Sequence, residues 1–234
     1  MKVSDNMKYS EERSFWINAL FFILSIAGLF VGPLIFALML RNFIKNLDIL
    51  ELVCNILFIL VLYLMYFKDL NREAKTYSKN FKDSFFKGLK YYFLGLMAMI
   101  FFNLILSFVM KGVSANEDTV RNMLFSNPIY TMLSIVIIAP LSEELIFRKS
   151  LAPIIKNKWI YATICGLLFG GAHLLAGEFN WLNLLYIFPY GSLGFAFAIM
   201  DYETKSTFTS IVMHAIHNGI TGIMLLIVYY MGAL

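Results

Sequence analysis

The second half of the sequence contains side chains that hydrolytic enzymes use, at spacings that place some of them on one helical face. The first group is Glu143, Glu144 and Arg148. Glu144 and Arg148 are four residues apart, so they would share a face on which the carboxylate pairs with the guanidinium. Glu143 lies about 100° around the helix from Glu144 and has no cation at i+4. It is therefore the better candidate for a general base, unless both glutamates serve only structural ion pairs.

All three histidines follow in the same part of the chain, at His173, His214 and His217. His214 and Asn218 are at i and i+4, and they could donate two hydrogen bonds to one point, as a developing oxyanion requires. Asn218 could instead join packed helices, and His173 could be a core histidine bonded to a backbone carbonyl. His217 lies off the line of His214 and Asn218 and is predicted to be structural.

The chain that carries these residues is too apolar for an ordinary water-soluble enzyme. It has 234 residues, of which 60% are hydrophobic and 15% charged, and its mean hydropathy is +0.73. Soluble domains are about 45–50% apolar and about 25% charged. Polar groups are costly inside a membrane, so a cluster of them predicts a functional site. Cys54 and Cys165 both lie in apolar segments, which predicts neither a disulfide nor a redox or zinc motif.

Seven apolar segments are long enough to form helices that cross a hydrocarbon core about 30 Å thick. The sequence therefore predicts an all-α, polytopic transmembrane helix bundle of about seven spans, with eight as the alternative. The predicted spans are residues 14–40, 47–67, 91–110, 128–147, 159–175, 182–200 and 207–231. We expect an amino-terminal part, residues 1–125, with the first three spans, and a core, residues 126–234, that holds the polar cluster.

Lysine and arginine residues between the spans orient the bundle by the positive-inside rule. With the amino terminus in the cytoplasm, the inner segments carry 15 of these residues, and the outer segments carry only Arg41, Lys45, Lys111 and Arg121. The amino terminus is therefore predicted to be cytoplasmic and the carboxyl terminus to face outward. Because this topology explains the basic residues, the net charge of +4 predicts no nucleic-acid partner.

Residues 68–90 form the most basic of these segments, a predicted cytoplasmic connection between the second and third spans. Phe81, Phe85 and Leu89 recur there at helical spacing, which predicts an amphipathic helix lying on the inner leaflet. The alternative is a solvated basic loop.

The depths of the polar residues can be estimated from a rise of 1.5 Å per residue. Glu143 and His214 would lie roughly 9 and 10 Å from the cytoplasmic ends of their spans. His173 would lie about 21 Å from Trp159, which is too deep to meet them unless its span is tilted or enters the bilayer several residues later.

Taken in order, the three groups resemble the three-motif signature of the CPBP family of intramembrane proteases, which are related to the type II CAAX prenyl endopeptidase and to bacteriocin-immunity proteins. The motifs are Glu143-Glu144-x-x-x-Arg148, Phe169-x-x-x-His173 and His214-x-x-x-Asn218. The resemblance covers residues 143–218, and it implies a glutamate-dependent endopeptidase of helical fold.

By matching position, the resemblance implies that Glu143 activates the attacking water with help from His173. His214 and Asn218 would stabilise the tetrahedral intermediate, and the remaining motif residues would support the site, namely Glu144, Arg148 and Phe169. The resemblance also implies that the site opens to the cytoplasmic side, so that a peptide bond near the cytoplasmic face is cleaved. No cofactor is expected to be required. A zinc ion held by Glu143, His173 and His214 is the alternative, although the sequence has no H-E-x-x-H motif.

Two other functions fit an apolar chain with polar spans. One is a non-catalytic membrane regulator, or an immunity or binding protein, on the same scaffold. The other is a proton-coupled transporter, for which carboxylates and histidines in spans are also expected. A transporter is commonly built from inverted repeats, and no internal repeat is evident in the sequence.

The expected partners are the lipid bilayer and a membrane-associated peptide or protein substrate, either prenylated or a peptide such as a pheromone or bacteriocin precursor. Lysine outnumbers arginine 14 to 5, as in an AT-rich bacterial genome, so the predicted location is the bacterial plasma membrane. The sequence leaves the oligomeric state open.

Overall fold

The computed structural model describes residues 13–110, 112–176 and 181–232. In these residues the chain forms eight helices and no strand, which confirms the predicted all-α helix bundle. The helices are α1 Phe15–Leu40, α2 Leu47–Lys79, α3 Phe81–Val109, α4 Ala115–Ser126, α5 Pro128–Lys149, α6 Lys158–His173, α7 Ile187–Thr204 and α8 Thr207–Tyr230. A 3₁₀ turn at Trp181–Tyr186 leads directly into α7.

Six of the described helices are long and apolar enough to cross a membrane, namely α1, α2, α3, α5, α7 with its 3₁₀ turn, and α8. The sequence predicts seven spans. The difference is the predicted span at residues 159–175. Helix α6 there has 16 residues, or about 24 Å of helix, which is short of a hydrocarbon core about 30 Å thick. It is nevertheless inside the bundle, because Tyr161, Ala162 and Cys165 are fully buried.

Polar contacts show which helix ends lie together. One end of the bundle joins the start of α1, the later part of α2, the end of α5, the start of α6, the end of α7 and the start of α8. Its contacts are the ion pairs Arg13–Asp69, Lys149–Glu73 and Lys158–Glu203, and a hydrogen bond from the Thr207 backbone N–H to Glu73. We call this the Lys149 end.

The opposite end, which we call the Asp48 end, is joined by contacts of the remaining helix termini. Asn127 Nδ2 donates to Asp48 Oδ2 at 2.6 Å, and Tyr186 Oη donates to the Gly112 carbonyl at 3.4 Å. The helix ends predicted to be cytoplasmic are thus gathered at the Lys149 end, as the predicted alternation of spans requires. Lys2, Lys8 and Lys111, which entered the charge count, lie outside the described residues.

Helices α2 and α3 are longer than their predicted spans and continue past the membrane-spanning part toward each other. Only Asn80 separates them, so residues 68–90 do not form a separate amphipathic helix on the inner leaflet, and that prediction is wrong. The cause is local. Residues 68–87 contain many strong helix formers and neither glycine nor proline, so the helices continue where the hydropathy falls. Tyr77 near the tip stacks on Phe208 of α8, with ring centroids 5.9 Å apart.

Helix α5 alternates between two helical forms. Pro128–Leu133 and Ala139–Glu144 are α-helical, whereas Ser134–Ile138 and Leu145–Lys149 are π-helical. In the first π segment the Ala139 N–H donates to the Ser134 carbonyl, five residues earlier. By the same five-residue spacing, the Ile135 carbonyl would accept from residue 140, but residue 140 is a proline and has no N–H. The carbonyl of Ile135 therefore needs a donor from elsewhere. Such π insertions are frequent at functional sites.

Helices α6 and α7 approach each other through glycines. A methyl group added at Gly170 would lie 2.7 Å from the Ile187 carbonyl oxygen, and one added at Gly194 would lie 2.9 Å from Phe169 Cβ. Small residues let helix backbones come this close in membranes. Gly170 therefore lies at the close approach of the two helices, whereas Gly171 has no neighbouring atom within 4 Å of an added methyl group.

Candidate active site

The predicted catalytic residues come together around one cavity of about 370 Å³ inside the bundle. Glu143, His173, His214 and Asn218 all line it. The apparent mismatch in the depth of His173 comes from the position of α6. Cys165 Sγ donates to the Phe147 carbonyl at 3.1 Å, so residues 158–164 lie level with or beyond the end of α5. His173 is therefore less deep relative to Glu143 than the distance from Trp159 implied.

Glu143 is the carboxylate that remains available in this cavity. Its side chain is 20% exposed, and its buried Oε2 has no hydrogen-bond partner among the described residues. His214 Nε2 lies 3.9 Å from that oxygen, which is too long for a hydrogen bond. The Glu143 carboxylate can therefore accept a hydrogen bond from water or from a bound ligand.

Glu144 differs from Glu143 because it is fully buried and its Oε1 is paired, although its Oε2 also has no hydrogen-bond partner among the described residues. Arg148 Nη1 donates to Glu144 Oε1 at 3.0 Å, and His214 Nδ1 lies 2.9 Å from the same oxygen. Arg148 also donates through Nη2 to the Gly194 carbonyl at 3.0 Å, and its guanidinium lies 4.6 Å from the centre of the Phe169 ring. The predicted pairing of Glu144 with Arg148 is confirmed, and the cation gains further stabilisation from the aromatic face.

The contacts of His214 determine which of its nitrogens carries a proton. An ionised carboxylate only accepts hydrogen bonds, so Nδ1 beside Glu144 must be the donor. Nε2 can then donate only when the ring is protonated on both nitrogens. The ring lies between the Glu143 and Glu144 carboxylates and stacks on Phe197, with centroids 4.9 Å apart.

His173 is oriented by a backbone carbonyl and by two aromatic rings. Its Nδ1 lies 2.9 Å from the Phe169 carbonyl oxygen, which only accepts, so Nε2 is the acceptor of the neutral ring. The ring centroid lies 4.5 Å from that of Phe169 and 4.6 Å from that of Tyr190. The Tyr190 hydroxyl is in turn 2.6 Å from Ser114 Oγ at the Asp48 end. His173 thus has the carbonyl bond of a core histidine and also faces the cavity.

Asn218 and His217 both make contacts between helices. Asn218 Nδ2 donates to the Ile135 carbonyl at 2.7 Å, which is the carbonyl that Pro140 leaves without a donor in the π segment. The alternative that Asn218 joins packed helices is therefore supported, although its amide keeps a second N–H. His217 Nδ1 lies 3.3 Å from the Tyr92 hydroxyl of α3, and its ring also lines the cavity.

No site residue was predicted in α7, yet three residues of this helix contact the motif residues. Tyr190 stacks on His173, Phe197 stacks on His214, and the Gly194 carbonyl accepts from Arg148. The hydroxyl of Tyr190 in an apolar span was the one available signal. A phenylalanine or a glycine is ordinary in such a span, so the other two could not have been found from sequence.

The cavity extends from the motif residues toward the Asp48 end only. Its lining on α8 runs from His214 to Leu225, and its lining on α7 and the preceding 3₁₀ turn runs from Phe197 back to Tyr186. Each stretch advances about 16 Å along its helix. Helix α4 contributes Glu117 at the far end. The opening thus lies opposite the end that the lysine count assigns to the cytoplasm. A cytoplasmic amino terminus and a site that opens to the cytoplasm were both predicted, and the cavity extends away from the end that the first prediction assigns to the cytoplasm.

The residues of the zinc alternative do not form a ready ligand set. In the described part of the chain, no three His, Cys, Asp or Glu side chains lie close enough together to hold a metal ion. His214 Nδ1 is occupied by Glu144, so only its Nε2 could act as a ligand.

Comparison with known families matches residues 125–220 to the type II CAAX prenyl endopeptidase Rce1-like family. Comparison with curated proteins found no match, and neither did comparison with solved structures. The matched segment begins at the end of α4 and ends within α8, so it contains all three motifs. Members of this family are generally proteases. The six long apolar helices of this chain make it an integral membrane protein. Residues 125–220 of this polytopic membrane protein thus match the model of the type II CAAX prenyl endopeptidase Rce1-like family, and this match is consistent with the CPBP family.

Proposed function

We propose that the protein is an intramembrane endopeptidase that hydrolyses a peptide bond of a membrane-associated peptide or protein inside the cavity. One observation carries this proposal. Glu143 offers a buried oxygen without a hydrogen-bond partner among the described residues, on the same cavity as the free acceptor of His173. Carboxylates in such settings are candidates for acid–base chemistry, and the family match supports the same class of reaction.

The proposed reaction begins with a water molecule between Glu143 and His173. The water donates one hydrogen to the Glu143 carboxylate and the other to His173 Nε2, which directs an oxygen lone pair at the scissile carbonyl carbon. Glu143 takes the proton as the new C–O bond forms, giving a tetrahedral intermediate. Collapse of the intermediate breaks the C–N bond, and the proton on Glu143 passes to the leaving nitrogen. The products are a carboxylic acid and an amine.

The oxyanion would be stabilised from α8. His214 supplies Nε2–H in its doubly protonated form, which is compatible with a carboxylate on each side of its ring. Asn218 supplies the N–H that does not bond to Ile135. Glu144 and Arg148 act as positioning residues, because they hold His214, and Phe169 holds both His173 and Arg148. Preorganised donors of this kind contribute about 10²–10³-fold each to the rate.

We propose that this chemistry needs no metal. The proton acceptors and donors named above account for water activation and for oxyanion stabilisation. If a zinc ion held by Glu143, His173 and His214 were essential, a chelator would abolish cleavage and added zinc would restore it.

The test is a paired cleavage assay in liposomes with a mixed pool of membrane peptides. Wild type is compared with Glu143→Gln and with a matched control, Glu117→Gln, which alters another glutamate of the same cavity that is paired with Arg121 rather than free. New peptide termini are identified by mass spectrometry, with and without a chelator.

We expect new termini from wild type and from Glu117→Gln, and none from Glu143→Gln. Equal cleavage by wild type and Glu143→Gln would refute the proposed base. If all three proteins are folded and none produces new termini across a broad pool, the non-catalytic binding function replaces the protease.

A further inference from the structure

The Lys149 end of the bundle is closed beneath the motif residues. Arg148 and Lys149 are fully buried, as are Asp201 and Thr207. Tyr161 Oη donates to Asp201 Oδ2 at 2.7 Å, and Thr207 Oγ1 donates to Asp201 Oδ1 at 2.9 Å. These contacts tie α6, α7 and α8 together directly below the site. A substrate coming from this side would have to displace a packed and hydrogen-bonded network.

The route to Glu143 from the Asp48 end is already present. Among the described lining residues, α5 contributes Ile135, Ala139 and Glu143, each about one turn from the next. No described residue that lies on the Lys149 side of Glu143, of Phe197 in α7 or of His214 in α8 lines the cavity. At its far end the Glu117 side chain is 41% exposed. Access therefore runs along the helices for about 16 Å, in one direction.

The distribution of lysine and arginine residues identifies the aqueous compartment at the Asp48 end. The segments at the Lys149 end carry most of the lysine and arginine residues, including Lys68, Arg72, Lys75 and Lys79 near the tip of α2. The positive-inside rule assigns such an end to the cytoplasm. We infer that the site opens to the extracytoplasmic side and takes a peptide segment that enters from the outer face of the membrane. The inference deepens the proposed protease function and rests on it for the identity of the ligand as a substrate.

The dimensions of the cavity limit what enters it. An extended chain covers about 3.3–3.6 Å per residue, so a path of about 16 Å holds roughly five residues between the scissile bond and the outer face. The described lining contains no lysine or arginine and is largely apolar, with Tyr186, Pro189 and Leu193 along one wall. The ligand class is therefore an extended, mainly apolar segment of an exported or outer-leaflet peptide.

The first part of the test measures access by water without any substrate. Single cysteines are introduced at the mouth (Glu117→Cys), one turn above Glu143 (Ala139→Cys) and at the tip of α2 (Lys79→Cys). A membrane-impermeant maleimide is added to intact cells and then to permeabilised cells. The wild-type chain measures the background, because Cys54 and Cys165 are buried.

We expect Glu117→Cys and Ala139→Cys to react in intact cells and Lys79→Cys to react only after permeabilisation. Reaction of Lys79→Cys in intact cells, with the other two protected, would overturn the inference. So would reaction of Glu117→Cys without Ala139→Cys, because the path would then end before it reaches the site.

The second part uses two model peptides, each with one membrane anchor and the same cleavable apolar segment on either the outer or the cytoplasmic side. We expect wild type, and not Glu143→Gln, to cleave the outer segment, about five residues from the membrane surface. Cleavage of the cytoplasmic segment alone would overturn the inference. If neither peptide is cleaved, the proposed protease function fails, while the cysteine labelling still decides on which side the cavity opens.

Discussion

At the Lys149 end of the bundle the buried charges are paired, whereas around the cavity a buried oxygen of Glu143 has no partner among the described residues. Lys149 pairs with Glu73, Arg13 pairs with Asp69, and Asp201 accepts two hydrogen bonds from hydroxyl groups. The two regions are only about 9 Å apart along α5. The same kinds of side chain thus have different roles within two helical turns.

This difference separates structural carboxylates from reactive ones. Removing one partner of a buried ion pair leaves an uncompensated charge, so such a pair holds the fold together only while it is complete. A carboxylate with a free acceptor in a cavity costs stability and is retained where it reacts or binds. The neighbouring residues Glu143 and Glu144 represent the two cases. Five predictions test this comparison, from the largest expected effect to the smallest.

The first prediction concerns Glu143. Glu143→Gln keeps the size of the side chain but removes the base, so we expect cleavage to fall by at least about 10²–10⁴-fold. The thermal unfolding midpoint should stay at or above that of wild type, because Glu143 Oε2 has no hydrogen-bond partner to lose among the described residues. Cleavage rate and unfolding midpoint are measured on the same detergent-solubilised sample. A large loss of thermal stability would place Glu143 among the structural carboxylates.

The second prediction concerns the closed end. Lys149→Met leaves Glu73 buried without its cation, and we expect a loss of about 3–5 kcal/mol in the free energy of unfolding. The double variant Glu73→Leu/Lys149→Met should recover most of that loss, because the unpaired charge is gone. Unfolding in a denaturing detergent measures both. Equal destabilisation in the single and double variants would contradict the assignment of the pair.

The third prediction compares two adjacent glycines of α6. Gly170→Ala would push a methyl group against the Ile187 carbonyl of α7, and we expect a cost of about 1–3 kcal/mol in unfolding free energy together with reduced cleavage. Gly171→Ala is the control, since it meets no atom within 4 Å. It should be neutral or more stable by up to about 1 kcal/mol through helix propensity. Similar effects at both positions would contradict the close approach.

The fourth prediction separates the two roles of Asn218. Asn218→Ala removes the donor to the Ile135 carbonyl, and we expect a loss of about 1–3 kcal/mol from an unsatisfied buried group. In a Pro140→Ala background residue 140 regains an N–H that can bond to that carbonyl, so the cost should shrink. The difference is measured as a double-mutant cycle on unfolding free energy. A residual loss of cleavage in both backgrounds would then isolate the contribution to the oxyanion.

The fifth prediction concerns a partly exposed ion pair, for which we expect the smallest change in the free energy of unfolding. The Lys158–Glu203 pair lies at the same end as Lys149 but is about one third exposed on each partner. Lys158→Met should therefore change the free energy of unfolding by less than about 1 kcal/mol. The measurement is the same detergent titration as for Lys149→Met. A loss as large as that of Lys149→Met would show that burial does not distinguish the two pairs.

Hydropathy predicted the membrane-spanning parts of the helices, because apolar length is what a bilayer selects. It failed beyond the spans: the Lys-rich residues after Phe67 lose the apolar signal and yet remain helical as far as Lys79. It also overestimated the length of α6. Residues 174–175 are apolar, but the α-helix ends at His173 and a 3₁₀ turn follows. Apolar length predicts insertion, whereas the point at which a helix ends depends on local bonding.

The motif residues of the site were recognisable because a carboxylate or a histidine stands out in an apolar span. Their arrangement in space was harder to predict from the sequence. The π segments of α5, and with them the need of Ile135 for the Asn218 donor, follow from backbone bonding that spacing alone does not specify. The direction in which the cavity extends from Glu143 could not be predicted from the sequence for a related reason. The distance of Glu143 from the end of its helix gives its depth, and it does not say which side of the bundle is filled with side chains.

The closed Lys149 end also determines where the membrane potential acts. When water fills the cavity, Glu143 lies close to the electrical potential of the solution at the Asp48 end. The voltage then falls mainly across the sealed layer of about 9 Å between Glu143 and Lys149, rather than across the full hydrocarbon core of about 30 Å. The local field is thus roughly three times that of an undisturbed bilayer. A potential of about 100 mV is equivalent to about 2.3 kcal/mol per elementary charge. An energised membrane therefore acts on the charges that lie within this layer, which on α5 are the paired Glu144 and Arg148.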